Sequence, residues 1–136
     1  MERSVDVFFY GLFMDESALR AKGFQPANAR QARADGFSLR LGARATLVPD
    51  VAKCVHGMLM GLTHRELDQL YAEPSVAAYR PEAVTAILSD GRNIAALCFN
   101  LPTVPAGIQS NSDYAAKLQA VARRLGLPES YIDTIA

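Results

Sequence analysis

Apolar and polar residues along this chain repeat with two periods, and the switches between them mark the elements. Val5 to Tyr10 (VDVFFY) is β-branched and aromatic, so it predicts a buried strand, ended by Gly11. Asp15 stands where it can N-cap a short helix, ESALRAK, with Gly23 just past its end. Gly23 to Gly36 is polar and rich in Ala, Gln and Arg and predicts an irregular crossing. Phe37 to Leu41 alternates with period two, as does a half-buried strand, and Ala45 to Val48 gives a second short strand ended by Pro49-Asp50. Val51 to Leu62 alternates again. Cys54, His56, Met58 and Met60 share one face, and Val55, Gly57, Leu59 and Gly61 the other; the two glycines predict close backbone approach or a bend.

Thr63-His64-Arg65-Glu66 has the spacing of a capping box, a hydroxyl at the N-cap and a carboxylate three residues on. The helix it opens carries Leu67, Leu70 and Tyr71 on one face, and Pro74 stops it. Val84 to Leu88 and Ile94 to Phe99, joined by Ser89 to Asn93, predict a hairpin. Pro102, Pro105 and Gly107 mark a loop. Ser112 is read as the cap of a last long helix whose Tyr114, Leu118, Val121 and Leu125 form an apolar stripe, with Gly126 as its C-cap glycine. Pro128 opens a terminal turn or helix carrying Tyr131, Ile132 and Ile135. Strands in the middle with helices at intervals and at the end fit an α+β class better than βαβ alternation.

With 136 residues, half of them hydrophobic, the chain suits one domain (1–136) with a single sizeable core. Fourteen acidic and fourteen basic residues cancel, so no net field favours nucleic acid or an anionic membrane. No apolar run approaches the ~20 residues of a membrane span, and no signal peptide is evident. The expectation is a cytoplasmic protein with no nucleic-acid or membrane partner.

The residues that could carry chemistry are few. Two histidines and two cysteines never adopt metal-ligand spacing, so no metal is expected. Cys54 and His56 share a strand face but project in parallel, which is poor geometry for a nucleophile and its base. No Walker, GxGxxG or GxSxG motif occurs. The strand–Gly11–helix junction suits an anionic ligand at unpaired backbone N–H groups, or is simply a tight turn. Glu66 is committed to its capping box. Glu73 is different, because it follows an amphipathic helix and precedes Pro74-Ser75-Val76-Ala77-Ala78. On the residues alone, two readings fit it: a solvated helix-end carboxylate, or a partly desolvated one with a raised pKa that could serve as a base.

Four segments, taken together, resemble the γ-glutamylcyclotransferase-like (AIG2-like) family, nearly end to end. FFYGLFM is similar to the family's Tyr-Gly loop. GFSLRLGARATLVPD is similar to its Gly-aromatic-x-Leu and Ala-Thr-Leu-x-Pro strands. VHGMLMGL through Leu67-Asp68, Glu73 and Tyr79-Arg80 to Val84 resembles its Leu-Asp-x-x-Glu…Tyr stretch, and Tyr114 with GLPESYIDTI resembles its ending. The resemblance implies a small mixed β-barrel with flanking helices and a pocket at one barrel mouth. It implies that Tyr10, Gly11, Leu12, Phe13 and Met14 hold a γ-glutamyl moiety, that Tyr114 contacts substrate, and that Glu73 is the catalytic acid–base. It implies a small-molecule partner, a γ-glutamyl compound closed to 5-oxoproline, with no cofactor.

Two departures from the family pattern stand out. Leu12-Phe13 replaces polar residues after Tyr-Gly, and the helix end reads Tyr71-Ala72-Glu73-Pro74 where the family more often has an acidic residue and then Glu-Gly. Two functional hypotheses follow. The first is a cyclotransferase, favoured by Glu73, Tyr10-Gly11 and Tyr114 together; the second is a non-catalytic binding or regulatory relative, favoured by Leu12-Phe13.

Overall fold

In the computed structural model, which describes residues 2–104 and 111–136, the chain forms five strands and four helices among the described residues. In order they are β1 (Ser4–Phe9), a 3₁₀ turn (Leu12–Met14), α1 (Glu16–Ala21), β2 (Ala27–Leu41), β3 (Ala45–Thr63), α2 (His64–Leu70), β4 (Arg80–Leu88), β5 (Asn93–Asn100), α3 (Ser112–Arg124) and α4 (Glu129–Ile132). The strands close into a barrel in the order β1-β3-β2-β4-β5. Neighbours run antiparallel except at the closing seam, where β1 and β5 are parallel and meet at Val7↔Leu97. The α+β barrel with flanking helices is therefore the observed architecture.

Closure of the sheet removes its edges, and the barrel interior supplies the core. Val7, Phe8, Val55, Leu59, Met60 and Leu62 from β1 and β3 are fully buried, and Leu70, Leu118 and Ile132 seal the outside from α2, α3 and α4. Thr46 is also fully buried, and its hydroxyl accepts the Leu101 N–H at 3.0 Å. The two glycines of β3 differ. A Cβ on Gly57 would lie 2.2 Å from the Phe9 carbonyl oxygen, so β1 approaches there as only glycine permits; a Cβ on Gly61 would meet nothing closer than 3.7 Å.

Several local signals act as expected. Asp15 caps α1 by accepting the Ser17 N–H, and Thr63 and Glu66 form the reciprocal capping box of α2. Gly126, at φ +78°, ends α3. Other expectations are corrected. The polar stretch from Gly23 to Gly36 is not a loop: β2 begins at Ala27 and pairs with β3 along its length. Pro49-Asp50 does not end a strand either. Pro49 pairs with Phe37, residues 50–53 loop outward with Val51 fully exposed, and pairing resumes at Asp35↔Cys54, so the two predicted strands are one. Asn111, not Ser112, caps α3, its side chain accepting the Tyr114 N–H at 3.1 Å. The helix α2 stops at Leu70, ahead of Pro74, and turns lead from there to Tyr79. Of the predicted loop, Pro105 and Gly107 lie outside the described residues.

Candidate functional site

The site begins where β1 leaves the barrel. Tyr10 is buried, and its hydroxyl donates to the Phe99 carbonyl at 2.8 Å, tying the end of β1 to β5. Burial, with the Cys98 thiol close by, pushes this phenol far above its ordinary pKa, so it stays protonated. At Gly11 the chain turns; a Cβ there would sit 2.9 Å from the Tyr114 hydroxyl. The Met14 N–H closes the 3₁₀ turn on the Gly11 carbonyl at 3.0 Å. The Met14 amide of the loop is thus already engaged. Met14 itself is buried in the core.

Tyr10, Gly11, Leu12 and Phe13 form one wall of a cavity of about 300 Å³. Facing them are Tyr71, Ser75, Val76 and Tyr79 from the segment after α2, Phe99 at the end of β5, the turn Ala43–Ala45 between β2 and β3, and Tyr114 on α3. The expected site residues Tyr10 to Phe13 and Tyr114 therefore come together around one space, whereas Met14 does not line it.

The walls are aromatic. Tyr71 stacks on Phe99 with ring centroids 3.9 Å apart and an 11° interplanar angle. Phe13 meets Tyr71 edge-on at 6.4 Å, Phe9 meets Phe13 edge-on at 6.5 Å, and Tyr79 tilts against Tyr71 at 6.3 Å. Such pairs add about 0.5–1.5 kcal/mol each beyond area burial, so the rings hold the walls of the cavity to one another. Tyr79 donates its hydroxyl to the Ala45 carbonyl, which pins the segment after α2 to the β2–β3 turn. Burial pushes the Tyr79 phenol up to about 12, against the opposing pull of Arg44. The Cys98 thiol, buried behind the rings, is likewise pushed up to about 12 by burial and by Glu82.

No carboxylate lines this space; its one formally charged lining residue is Arg44, exposed at the rim, with no side-chain hydrogen bond or ion pair among the described residues. Glu73 lies on the wall segment between the lining residues Tyr71 and Ser75. Its carboxylate, though, is not among the lining groups and is paired with Lys22 at 3.0 and 3.2 Å, and both side chains are 37% exposed. Lys22 Nζ in turn stands 6.0 Å from the centroid of the Phe13 ring. The Cys54 sulfur and His56 Nε2 are 3.7 Å apart on β3, away from this cavity, with the His56 ring against Tyr131. No cluster of three or more metal-type ligands occurs among the described residues, and no described helix is long and apolar enough to cross a membrane.

Sequence reasoning missed Tyr71 and Phe99, which it took as helix-face and strand residues, and gave no role to Arg44, Ser75 or Val76. A compositional signal was present. The chain has only five Tyr and six Phe, and four of each line the cavity.

The sequence profile of the γ-glutamyl cyclotransferase, AIG2-like family matches residues 7–116, which span every wall of the cavity. The chain belongs to that family. A comparison with curated proteins found no match. Among solved structures, one named as a γ-glutamyl cyclotransferase superposes with a TM-score of 0.83 at 19% identity, over 98% of this chain and 86% of that one. YkqA from Bacillus subtilis gives 0.76 at 23% identity, over 98% of this chain and 56% of that one. An AIG2-like protein from Mus musculus gives 0.57 at 16% identity, over 82% and 90%. At these identities the likeness carries the AIG2-like barrel, and the chemistry has to be argued from the residues present.

Proposed function

We propose that the cavity takes a γ-glutamyl amine or amino acid in the cytoplasm and cyclises it to 5-oxoproline, releasing the amine, with Glu73 as the acid–base. Glu73 accepts a proton from the substrate's α-ammonium. The freed amine attacks the γ-carbonyl carbon of the same molecule and a new C–N bond closes the five-membered ring; the old C–N bond breaks as Glu73 returns the first proton to the leaving amine, and the second proton, shed by the ring nitrogen as it becomes an amide, goes to that amine, which departs as an ammonium. Only protons move and one amide replaces another, so the reaction calls for neither metal nor redox cofactor. The substrate carries its own nucleophile, and effective molarities of about 10⁵–10⁸ M for well-oriented intramolecular reactions make positioning by the cavity the larger contribution.

The observation that carries this reading is the opposition of two segments across one cavity, Tyr10–Phe13 on one side and Tyr71–Tyr79, bearing Glu73, on the other. The Lys22 partner is a small obstacle. An exposed ion pair contributes about 0–1 kcal/mol, so exchanging Lys22 for a substrate ammonium costs little, and the reading requires the Glu73 side chain to turn from Lys22 toward the cavity. Incubation with a panel of γ-glutamyl compounds should release 5-oxoproline, Glu73→Gln should abolish release, and Lys22→Met should retain it. Full activity in Glu73→Gln would sink the assignment.

A second reading, binding without turnover, draws on the absence of any carboxylate from the lining. Counting the family's Leu-Asp-x-x-Glu spacing from Leu67-Asp68 reaches Tyr71, which is stacked on Phe99 and held protonated by burial. Saturable binding of a γ-glutamyl compound with no 5-oxoproline formed would select this reading.

A further inference from the structure

Beyond the γ-glutamyl group, the lining chooses what may be attached to it. Eight aromatic rings surround the space. Two of the four tyrosine hydroxyls, those of Tyr10 and Tyr79, already donate to main-chain carbonyls. Tyr10 and Tyr79 therefore have no hydroxyl proton left for a ligand, and ring surface is most of what they offer. Leu12, Phe13 and Val76 extend the apolar wall. The one formal charge of the lining is Arg44 at the rim, exposed and without a side-chain partner among the described residues. A volume near 300 Å³ is at the small end of ligand pockets and suits a dipeptide-sized molecule.

We propose that the preferred ligand is a γ-glutamyl conjugate whose amine bears a flat aromatic or apolar group, packed among the rings with the ligand carboxylate at Arg44. Conjugates carrying a second free ammonium are rejected. This rests on the cavity being the γ-glutamyl site, and not on turnover. An apolar tail exchanges water for ring contacts. A second ammonium, on the tail, would lie among the rings, where no lining residue is a carboxylate and the one formal charge is the Arg44 guanidinium, unpaired among the described residues; the attraction of the ring faces for a cation would have to offset both desolvation and like-charge repulsion.

The test uses the full chain and three probes with one carboxylate each: the γ-glutamyl amides of phenethylamine, of ethylamine and of 1,4-diaminobutane. Calorimetry reads Kd, and 5-oxoproline is measured in the same samples. The phenethylamide should bind about tenfold or more tightly than the ethylamide, from burial of the phenyl ring, and the diaminobutane conjugate more weakly than either. Arg44→Gln, at an exposed position that should not disturb folding, should weaken the phenethylamide about tenfold and narrow the discrimination against the diamine. Equal Kd values, tightest binding of the diamine conjugate, no saturable binding of any probe, or an unchanged Kd in Arg44→Gln each overturn the proposal. Tight phenethylamide binding without 5-oxoproline leaves it standing and removes the catalytic reading; equal binding and turnover of all three probes does the reverse.

Discussion

Gly57→Ala should damage the barrel at the strand that feeds the cavity loop. The added Cβ would lie 2.2 Å from the Phe9 carbonyl oxygen and 3.1 Å from Phe8 Cζ, more than an ångström inside ordinary contact at the first of these. The carbonyl belongs to a strand paired on both sides, so it cannot swing aside as a side-chain tip would. Either β1 shifts outward or the Phe9↔Met58 pairing breaks. Overpacking costs about 1–3 kcal/mol. One or two lost ladder hydrogen bonds add about 1 kcal/mol each. The total, about 2–5 kcal/mol, is a large share of the roughly 5–15 kcal/mol of a typical domain. Gly61 is the control, in the same strand with no atom nearer than 3.7 Å and an unremarkable φ; alanine there should stay within about 0.5 kcal/mol of the parent or stabilise it. Urea unfolding of the three proteins measures both. With slopes of roughly 1–3 kcal/mol/M, Gly57→Ala should move the midpoint by about 1 M or more. A Gly57→Ala midpoint equal to the parent's, or an equal loss in Gly61→Ala, would refute the close-approach argument.

Three further outcomes can be checked. Burial alone would raise the Glu66 carboxyl, but N–H bonds from Gln25 and Thr63 and the Thr63 hydroxyl hold it below its ordinary value. Its contribution is therefore present above the unfolded pKa near 4.3 and is lost as pH falls through the lower folded value; Glu66→Ala should cost about 1 kcal/mol at pH 7, and less at pH 3, by urea midpoint. His56 is held below 6.5 by burial and by Arg33, so the unfolded chain binds a proton that the folded chain refuses. Stability should fall as pH drops below about 6.5, and His56→Gln should flatten that slope; identical slopes would reject the assignment. Gly11→Ala should cost about 1 kcal/mol more with Tyr114 present than in a Tyr114→Phe background, because the clash is with the hydroxyl; additivity in the double-mutant cycle would contradict it.

Local chemistry in the sequence placed the caps at Asp15 and Thr63–Glu66, the β4–β5 hairpin and the α3 stripe, because each depends on neighbours a few residues apart. The start of β2 was hidden because its buried side chains are Ala32 and Ala34, too small to give an alternation signal, set among Arg30, Gln31 and Arg33; the long partner β3 makes it a strand. Pro49-Asp50 misled for a related reason. A bulge carries the Pro without breaking the ladder beyond it, and bulges are set by the partner strand rather than by local propensity. In the site, the Tyr10–Phe13 loop and Tyr114 could be read as facing one another through the family resemblance. The side toward which Glu73 turns could not, since Lys22 lies fifty-one residues away. Nor could the aromatic lining, assembled from four separate segments.

The closing seam has a consequence for how the protein comes to bind anything. β1 and β5 meet in parallel, and the Tyr10–Phe99 hydrogen bond above that seam joins residues eighty-nine apart in sequence. Such a closure carries a large loop entropy, whereas the antiparallel β2–β3 and β4–β5 hairpins join neighbours in sequence and can form first. Tyr10 and Phe99, one on each side of the seam, both line the cavity. The ligand space therefore comes into being only when the barrel shuts, and a bound ligand bridges the seam itself. Ligand should then slow amide exchange most at the β1–β5 junction and act on the unfolding rate rather than on the early hairpins.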